Sequence, residues 1–387
     1  MKQQLIESHQ ISPNHKYFKM CDALAFKSKN LYNATNYAIR QHYFETGKHL
    51  NYNDVNASFT HNNQVDYRAL PAKVSKGTQR LLDKAYKSFF KKTGYRKPPG
   101  YLHKTKGRFV VHYEKGAVST KIKGFVKLSK TNILIKTNKI VDFVRIVPHV
   151  GYYTIEIGYS VNLPVPSKTT GKRVASIDLG VNNLALVSSN VMNPFIINGK
   201  PVKSMNLYAN LLLSNIQSVT TGSSKKLRTY YRKRHNKIAD YFHKSTTFIV
   251  EKLLENNIDT LVIGKNDGWK HCSKLNNFVR IPHNQFVDKL MYKCTLQGIT
   301  VILQEESYTS KSSFYSKDAI PVFGVKNIIT FSGKRTSRGM YIDKSGLKLN
   351  ADLNGSLNIL RKSEAWSDDM FEDCVTYSRK PILTYSF

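Results

Sequence analysis

The chain has 387 residues, enough for more than one domain and a sizeable core, and it carries 60 Lys and Arg against 26 Asp and Glu, a net charge of +34. A surface this basic repels itself unless a polyanion is bound, so nucleic acid is the expected partner, and 23 Tyr with 19 Phe offer rings for base stacking. The sequence holds no apolar run of bilayer length, no lipidation signal, no signal-peptide core and no CxxC pair among its four cysteines, so the expectation is a reduced, intracellular protein of the cytoplasm or nucleoid with no membrane partner.

Residues 1–16 read as a first strand with its connection, and Tyr17 to about Phe90 reads as helical. Leu24, Phe26, Leu31, Tyr37 and Ile39 form one apolar series. Pro71 opens a strong helix with a predicted buried face of Val74, Leu81, Ala85 and Phe89. Beside that face Lys73, Lys76, Arg80, Lys84 and Lys87 recur as a basic stripe with few acids near it in sequence. A solvated helix face is the plain alternative; the missing acids favour a helix that contacts phosphates, with Gln79 as an amide able to read a base edge.

Residues 107–163 change period. Phe109–Tyr113, Ile133–Ile135, Asp142–Val147 and Tyr152–Val161 read as antiparallel strands. Together with the first strand they predict a small β-barrel from 1–16 and 100–168, with a helical domain over 17–99 inserted into it. Pro164–Gly171 reads as a linker. Beyond it the order is strands at 174–179, 184–189 and 194–198, helices over about 206–257, a strand at 259–264, a helix at 284–297 and a strand at 299–305. Three sequential strands followed by strand, helix and strand is the layout of an RNase H-like α/β fold. On the long helix, Arg228, Arg232, Lys233 and Arg234 sit in a basic-aromatic run suited to a nucleic-acid backbone.

Two acids stand out against this frame. Asp178 ends the short apolar strand that begins at Val174, and Asp352 lies at a helix start followed by Leu357, Ile359 and Leu360 at helical spacing. Two carboxylates on unrelated elements in apolar or amide-rich surroundings suit a divalent-metal phosphoryl-transfer site, because Mg²⁺ prefers hard oxygen ligands. Each acid alone is as readily a turn former or a helix cap. The Ile-Asp-Leu-Gly run also opens actin-like and sugar-kinase folds, but those need Gly-rich phosphate loops that the sequence lacks.

The sequence resembles the TnpB family of transposon-encoded proteins, relatives of type V CRISPR nucleases. The resemblance rests on SKNLYNATNYAIRQHYF at 28–44, LPAKV at 70–74 with LLDKAYKSFF at 81–90, SIDLGVNNLA at 176–185, DYFHKST at 240–246 and VIGKNDGWK at 262–270. It continues through NNFVRIPHNQFVDKLMYK at 276–293, EESYTSKSSF at 305–314 and NADLNGSLNILRK at 350–362. It implies an RNA-guided DNA endonuclease that pairs a guide RNA from the transposon end with double-stranded target DNA beside a short transposon-adjacent motif. It also implies a RuvC-like nuclease domain over 172–308 and 348–362, a wedge barrel carrying the helical recognition domain, an insertion at 309–347 and a tail at 363–387.

Two departures from the family pattern matter. Members place the second catalytic acid at the end of the fourth RuvC strand, where this chain has Gly264 and no acid before Asp267. A subset shared with the Fanzor relatives carries it on the next strand, three residues before Thr-Ser, and Glu306 occupies that place ahead of Thr309-Ser310. Strand alternation sends Glu305 to the opposite face, which leaves Glu306 as the preferred acid. The resemblance then implies that Asp178, Glu306 and Asp352 hold two Mg²⁺ ions. The second departure is the zinc ribbon: 311–347 contains no cysteine, Ser312 stands where a ligand is expected, and no structural zinc is expected. A zinc-free ribbon packed by Phe314, Phe323, Ile328, Phe331 and Tyr341 is the expectation. The rivals to a guided nuclease are a cleavage-inactive RNA-guided repressor and a RuvC-like nuclease acting without a guide.

Overall fold

The computed structural model describes residues 2–91, 97–164, 172–219, 224–265, 281–322, 324, 330–337 and 339–387. The chain divides into two compact units, Lys2–Asn162 and Leu163–Phe387. The expected linker falls largely outside the described residues, as do Asp267, Phe323 and Ile328.

The first unit begins with β1 (Lys2–Ile11) and continues through α1 (Phe18–Thr46), α2 (Tyr52–His61), α3 (Val65–Arg68) and α4 (Ala72–Phe90). The strands that follow are β2 (Val111–Glu114), β3 (Val118–Ser119), β4 (Phe125–Leu128), β5 (Leu134–Lys136), β6 (Val141–His149) and β7 (Tyr152–Asn162). β1 pairs antiparallel with β7 over its whole length, Lys2 opposite Asn162 and Ile11 opposite Tyr153. The first strand and the later hairpin therefore join one sheet, ordered β1-β7-β6-β2, with the helices between them in sequence. The expected closed barrel is not formed by these ladders: this sheet is open, and β3-β4-β5 make a separate small one. Leu82, Tyr113, Val144, Ile146 and Ile155 are buried in the core that the helices share with the sheet. Arg108 fixes α1 beside the sheet, its Nε and Nη2 each donating to the Asp22 carboxylate at 2.8 Å while the Tyr153 hydroxyl donates at 2.7 Å. The hydrogen bonds from Arg108 are the main reason that the Asp22 carboxyl lies below the usual carboxylate range.

The buried stripe of α4 differs from the predicted one. Ala85 is exposed and Leu81 only half-buried; the core-facing row is Val74, Thr78, Leu82 and Tyr86. The hydroxyl of Thr78 is satisfied inside by Ser28, at 3.0 Å, which lets a polar residue take a core position. On α1, Tyr37 likewise turns outward, while Leu31 and Ile39 are buried.

The second unit runs β8 (Val174–Leu179), β9 (Asn183–Ser189), β10 (Phe195–Asn198), α5 (Lys200–Val219), α6 (Lys225–Glu255), β11 (Thr260–Lys265), α7 (His283–Leu296) and β12 (Thr300–Glu305). It continues with β13 (Lys334–Ser337), β14 (Met340–Ile342), β15 (Lys348–Asn350), α8 (Ala351–Lys362), α9 (Phe371–Ser378) and β16 (Leu383–Tyr385). The main sheet is ordered β12-β11-β8-β9-β10-β16. β9 lies antiparallel to both β8 and β10, whereas β11 is parallel to β8 and β12 is parallel to β11. That is the strand order expected of an RNase H-like sheet, extended by β16, which pairs parallel with β10.

Alternation along the strands assigns the two faces. Ala175 and Ile177 of β8 and Leu261 and Ile263 of β11 pack with Phe242, Leu253, Phe286 and Leu290 of α6 and α7. Val174 and Val262 pack on the other face with Leu357 and Leu360 of α8 and with Cys374 of α9. A wholly buried Leu or Ile side chain of this kind contributes roughly 1.5–3 kcal/mol relative to exposure. Counting by twos from Val174 puts Asp178 on the α8 face, and counting from Val262 puts Gly264 there. β13, β14 and β15 form a small antiparallel sheet around buried Tyr341 and Leu349.

Candidate active site

Short side chains allow α8 to lie close against the sheet. Ser176 of β8, Ser188 of β9 and Ser356 of α8 bond to one another at 2.8–3.1 Å, and the Ser176 hydroxyl also donates to Ser356 O at 2.8 Å. Next to this seam, an ideal Cβ on Gly355 would lie 2.7 Å from Asp178 Oδ2 and 3.4 Å from its Cγ. Position 355 therefore has to be glycine for the Asp178 carboxylate to rest against the helix. Gly264, at the end of β11, has the corresponding relation to the second acid, since a Cβ there would lie 2.9 Å from Glu306 Oε2 and 2.6 Å from Ile359 Cδ1. Gly264 thus leaves the space that the Glu306 carboxylate fills.

Asp352 comes from the first turn of α8, which Asn350 caps by accepting from the backbone N–H groups of Asp352, at 2.9 Å, and Leu353, at 3.2 Å. Its two carboxylate oxygens are held separately. Asn183 Nδ2 donates to Oδ2 at 2.7 Å, and Arg335 Nη2, from β13, donates to Oδ1 at 3.0 Å. Asn183, the first residue of β9, follows a pinned loop, for His283 Nε2 lies 2.9 Å from Gly180 O and Gly199 N donates to Asn182 O at 2.8 Å.

Asp178 feels the charges of the other two acids. The Asp178 carboxyl is pushed well above the usual carboxylate range, first by burial and then by the charges of Glu306 and Asp352, with Arg335 and the Leu179 backbone N–H opposing. Glu305 takes no part in this group. It is exposed and its Oε2 pairs with Lys362 Nζ, at the end of α8, at 2.6 Å. Among the described residues no three His, Cys, Asp or Glu side chains already close round a single point; Asp352 is turned to Arg335 and Asn183.

These residues fit a divalent cation. The donors are hard oxygens, the repulsion that Asp178 feels from the other two is opposed first by the Arg335 guanidinium, and two missing Cβ atoms leave room for the Asp178 and Glu306 carboxylates. Asn183, Arg335, Gly264 and Gly355 were not singled out as functional from sequence. The only signal for the glycines was the odd end of β11, and nothing in the polar stretch around Arg335 marks it as a partner of Asp352.

The basic residues proposed for nucleic acid are placed unevenly. Lys73, Arg80, Lys84 and Lys87 are exposed on α4 and Lys76 is half-buried. Gln79, however, is 1% exposed, so its amide does not face outward to read a base edge. Two of the stripe's cations are paired: Arg80 with Glu114 of β2, which the local sequence does not show, and Lys87 with Asp83 of the same helix at 2.7 Å. On α6, Arg228 and Lys233 are exposed and Arg232 is partly so, while Arg234 Nε donates to Asn206 Oδ1 of α5 at 2.6 Å. No helix among the described residues is long and apolar enough to cross a membrane.

An RNase H-like sheet with carboxylates at the ends of β8 and β12 and at the start of α8 defines the class of this unit. Residues 154–270 match the OrfB_IS605 family, described as a probable transposase, and residues 283–359 match the Cas12f1-like TNB domain. A TnpB-like protein, ORF457 of Acidianus two-tailed virus, is 23% identical over 410 residues, spanning 91% of this chain and 85% of that protein. These matches support a TnpB-family protein. Two solved structures align with it at low similarity. One is the Cas12f1–sgRNA–target DNA complex, at 13% identity over 94% of this chain and 100% of the other, with a TM-score of 0.37. The second is CasPhi-2 (Cas12j) bound to crRNA, at 9% identity over 93% and 98%, with a TM-score of 0.37.

Proposed function

We propose that the chain is a Mg²⁺-dependent, RNA-guided DNA endonuclease that cleaves double-stranded target DNA beside a short transposon-adjacent motif, using a guide RNA from the end of its own element. The observation that carries this reading is the gathering of Asp178, Glu306 and Asp352, with Gly264 and Gly355 leaving space for two of the carboxylates. The family-model and relative matches support it. Asp178, Glu306 and Asp352 would hold two Mg²⁺ ions, which would supply charge neutralisation at the scissile phosphate and activation of the attacking and leaving oxygens.

The protein's own residues prepare that site. Asn183 orients the Asp352 carboxylate by its 2.7 Å hydrogen bond, and Arg335 neutralises the other oxygen. Closely packed small side chains keep α8 in register with β8, so the spacing between Asp178 and Asp352 is set by the backbone. The exposed cations of α4 and α6 would hold nucleic-acid backbone, and sequence specificity for most of the target would come from guide pairing. In this reading 17–99 is the recognition domain and 1–16 with 100–168 is the wedge. Residues 172–308 with 348–362 form the RuvC-like nuclease, 309–347 is a zinc-free insertion and 363–387 is the tail.

A second reading, a guided DNA binder that does not cut, is favoured by one observation: both Asp352 oxygens are occupied by Arg335 and Asn183. The same experiment separates the two. RNA that co-purifies with the protein is sequenced, and the complex is given target plasmids with a randomised flank in Mg²⁺. Motif-dependent cutting that Asp178→Ala removes supports the nuclease; motif-dependent binding without cutting supports the binder; RNA-independent cutting contradicts both.

A further inference from the structure

We propose that Asn354 and Asn358 of α8 are positioning residues for Glu306, acting through the turn that follows β12; this rests on the carboxylate reading above. The chain reverses immediately after Glu306. Thr309 N and Thr309 Oγ1 both donate to Glu306 O, at 3.3 and 2.8 Å, and Tyr308 is held at a φ of 65°, a left-handed conformation that a tyrosine adopts only when its surroundings impose it. The turn goes on with Ser312 N donating to Tyr308 O at 3.0 Å.

What imposes it is a row of donors on one face of α8. Asn358 Nδ2 donates to Thr309 O at 3.0 Å and to Ser312 O at 2.7 Å. Asn354 Nδ2 donates to Ser312 O at 2.8 Å, and Asn354 Oδ1 accepts from Phe314 N at 3.0 Å. Both amides are fully buried. Lys362, one further turn along the same face, donates from Nζ to Ser307 O at 3.0 Å. Asn358 Oδ1 has no partner among the described residues, so the amide's orientation is chosen by the two carbonyls it serves.

The same short helix therefore carries Asp352, the glycine against which Asp178 rests, and the amides that fix where Glu306 leaves its strand. One element sets the positions of all three carboxylates relative to one another.

The test compares Asn358→Ala and the milder, nearly isosteric Thr309→Val with the wild-type protein. Two measurements are made on each: the Mg²⁺ concentration that half-saturates the rise in melting temperature, and the Mg²⁺ dependence of cleavage by the guide-loaded complex. Loss of an outer partner of a metal ligand weakens binding about tenfold or more. Both variants should therefore need about tenfold more Mg²⁺ in both measurements, bind guide and target as wild type, and recover cleavage at excess Mg²⁺. A purely structural role would lower the melting temperature and leave the Mg²⁺ midpoint where it is. If Asn358→Ala fails to fold, Thr309→Val decides alone. Unchanged midpoints against a responsive wild type overturn this inference only. A wild type that shows no Mg²⁺ response, or an Asp178→Ala variant that cuts normally, overturns the carboxylate reading as well.

Discussion

Asp178 and Gly355 are made for each other: the carboxylate of the first lies where any side chain on the second would begin, with Oδ2 2.7 Å from the ideal Cβ position. Two effects of Gly355→Ala then oppose one another. Intrinsic helix propensity favours alanine by about 1 kcal/mol inside a helix. The collision acts against the change, since either Asp178 rotates away or α8 lifts from the Ser176–Ser188–Ser356 seam. We expect the collision to win, so that Gly355→Ala cuts target at least tenfold more slowly, with unchanged guide binding. A variant that is more stable and fully active would show that the carboxylate does not need that space.

Asp178 also sets a sign for the pH dependence of the metal-free protein. Its carboxyl is raised well above the ordinary range in the folded chain, whereas in the unfolded chain it titrates near about 4. Below that value both states are protonated and the residue is neutral in its effect. As pH rises from there through the folded value, the unfolded chain ionises first and stability is lost. Asp178→Asn should therefore melt several degrees higher than wild type at neutral pH without metal, with the gap closing towards pH ~4. Adding Mg²⁺ should stabilise only the wild type. Parallel melting curves across that pH range would contradict the placement of the three acids.

Gln79 is the clearest correction to the reading of α4. Both of its side-chain polar atoms are buried without a partner among the described residues. Replacement by methionine, of similar shape, removes unsatisfied polar atoms and should stabilise the protein by about 1 kcal/mol. It should leave the choice of flanking motif unaltered. A changed motif preference in a selection from a randomised flank would restore Gln79 as a base reader.

The basic residues of α6 should separate into two behaviours. Lys233 and Arg228 are exposed, so charge removal there should weaken nucleic-acid binding evenly across sequences and reduce the salt slope by roughly one for each cation that pairs with a phosphate. Arg234 donates to Asn206 across the α5–α6 pair, so Arg234→Ala should mainly lower the melting temperature. Salt titrations of the two sets distinguish them, and identical slopes for all three variants would contradict the division.

How much of this was legible in the sequence follows from how far each signal reaches along the chain. Asp178 and Asp352 were visible because each interrupts an apolar pattern with a lone acid, whereas Glu306 came from the family resemblance, with strand parity serving only to set Glu305 aside. The order of β8 to β12 was readable from alternating apolar runs. Arg335 was not, because it lies in a short exposed strand whose role is set by a residue 17 positions away across a sheet edge. One acid beside the α4 stripe was hidden for the same reason: Glu114, which neutralises Arg80, is close only after β2 has packed on the helix. β16 pairs through three residues, too few for alternation to show, and the closed barrel was expected because hydrophobic alternation reports strands without reporting whether their edges meet.

The most direct test of the central claim is cleavage of a target plasmid carrying the selected flanking motif by the guide-loaded protein in Mg²⁺, for wild type and for Asp178→Ala, Glu306→Ala, Asp352→Ala and Glu305→Ala. Target binding is measured in parallel. The three-carboxylate site predicts that the first three variants bind the target and do not cut, while Glu305→Ala, which removes an exposed partner of Lys362, still cuts. Normal cleavage by Glu306→Ala, or by Asp178→Ala or Asp352→Ala, would contradict it.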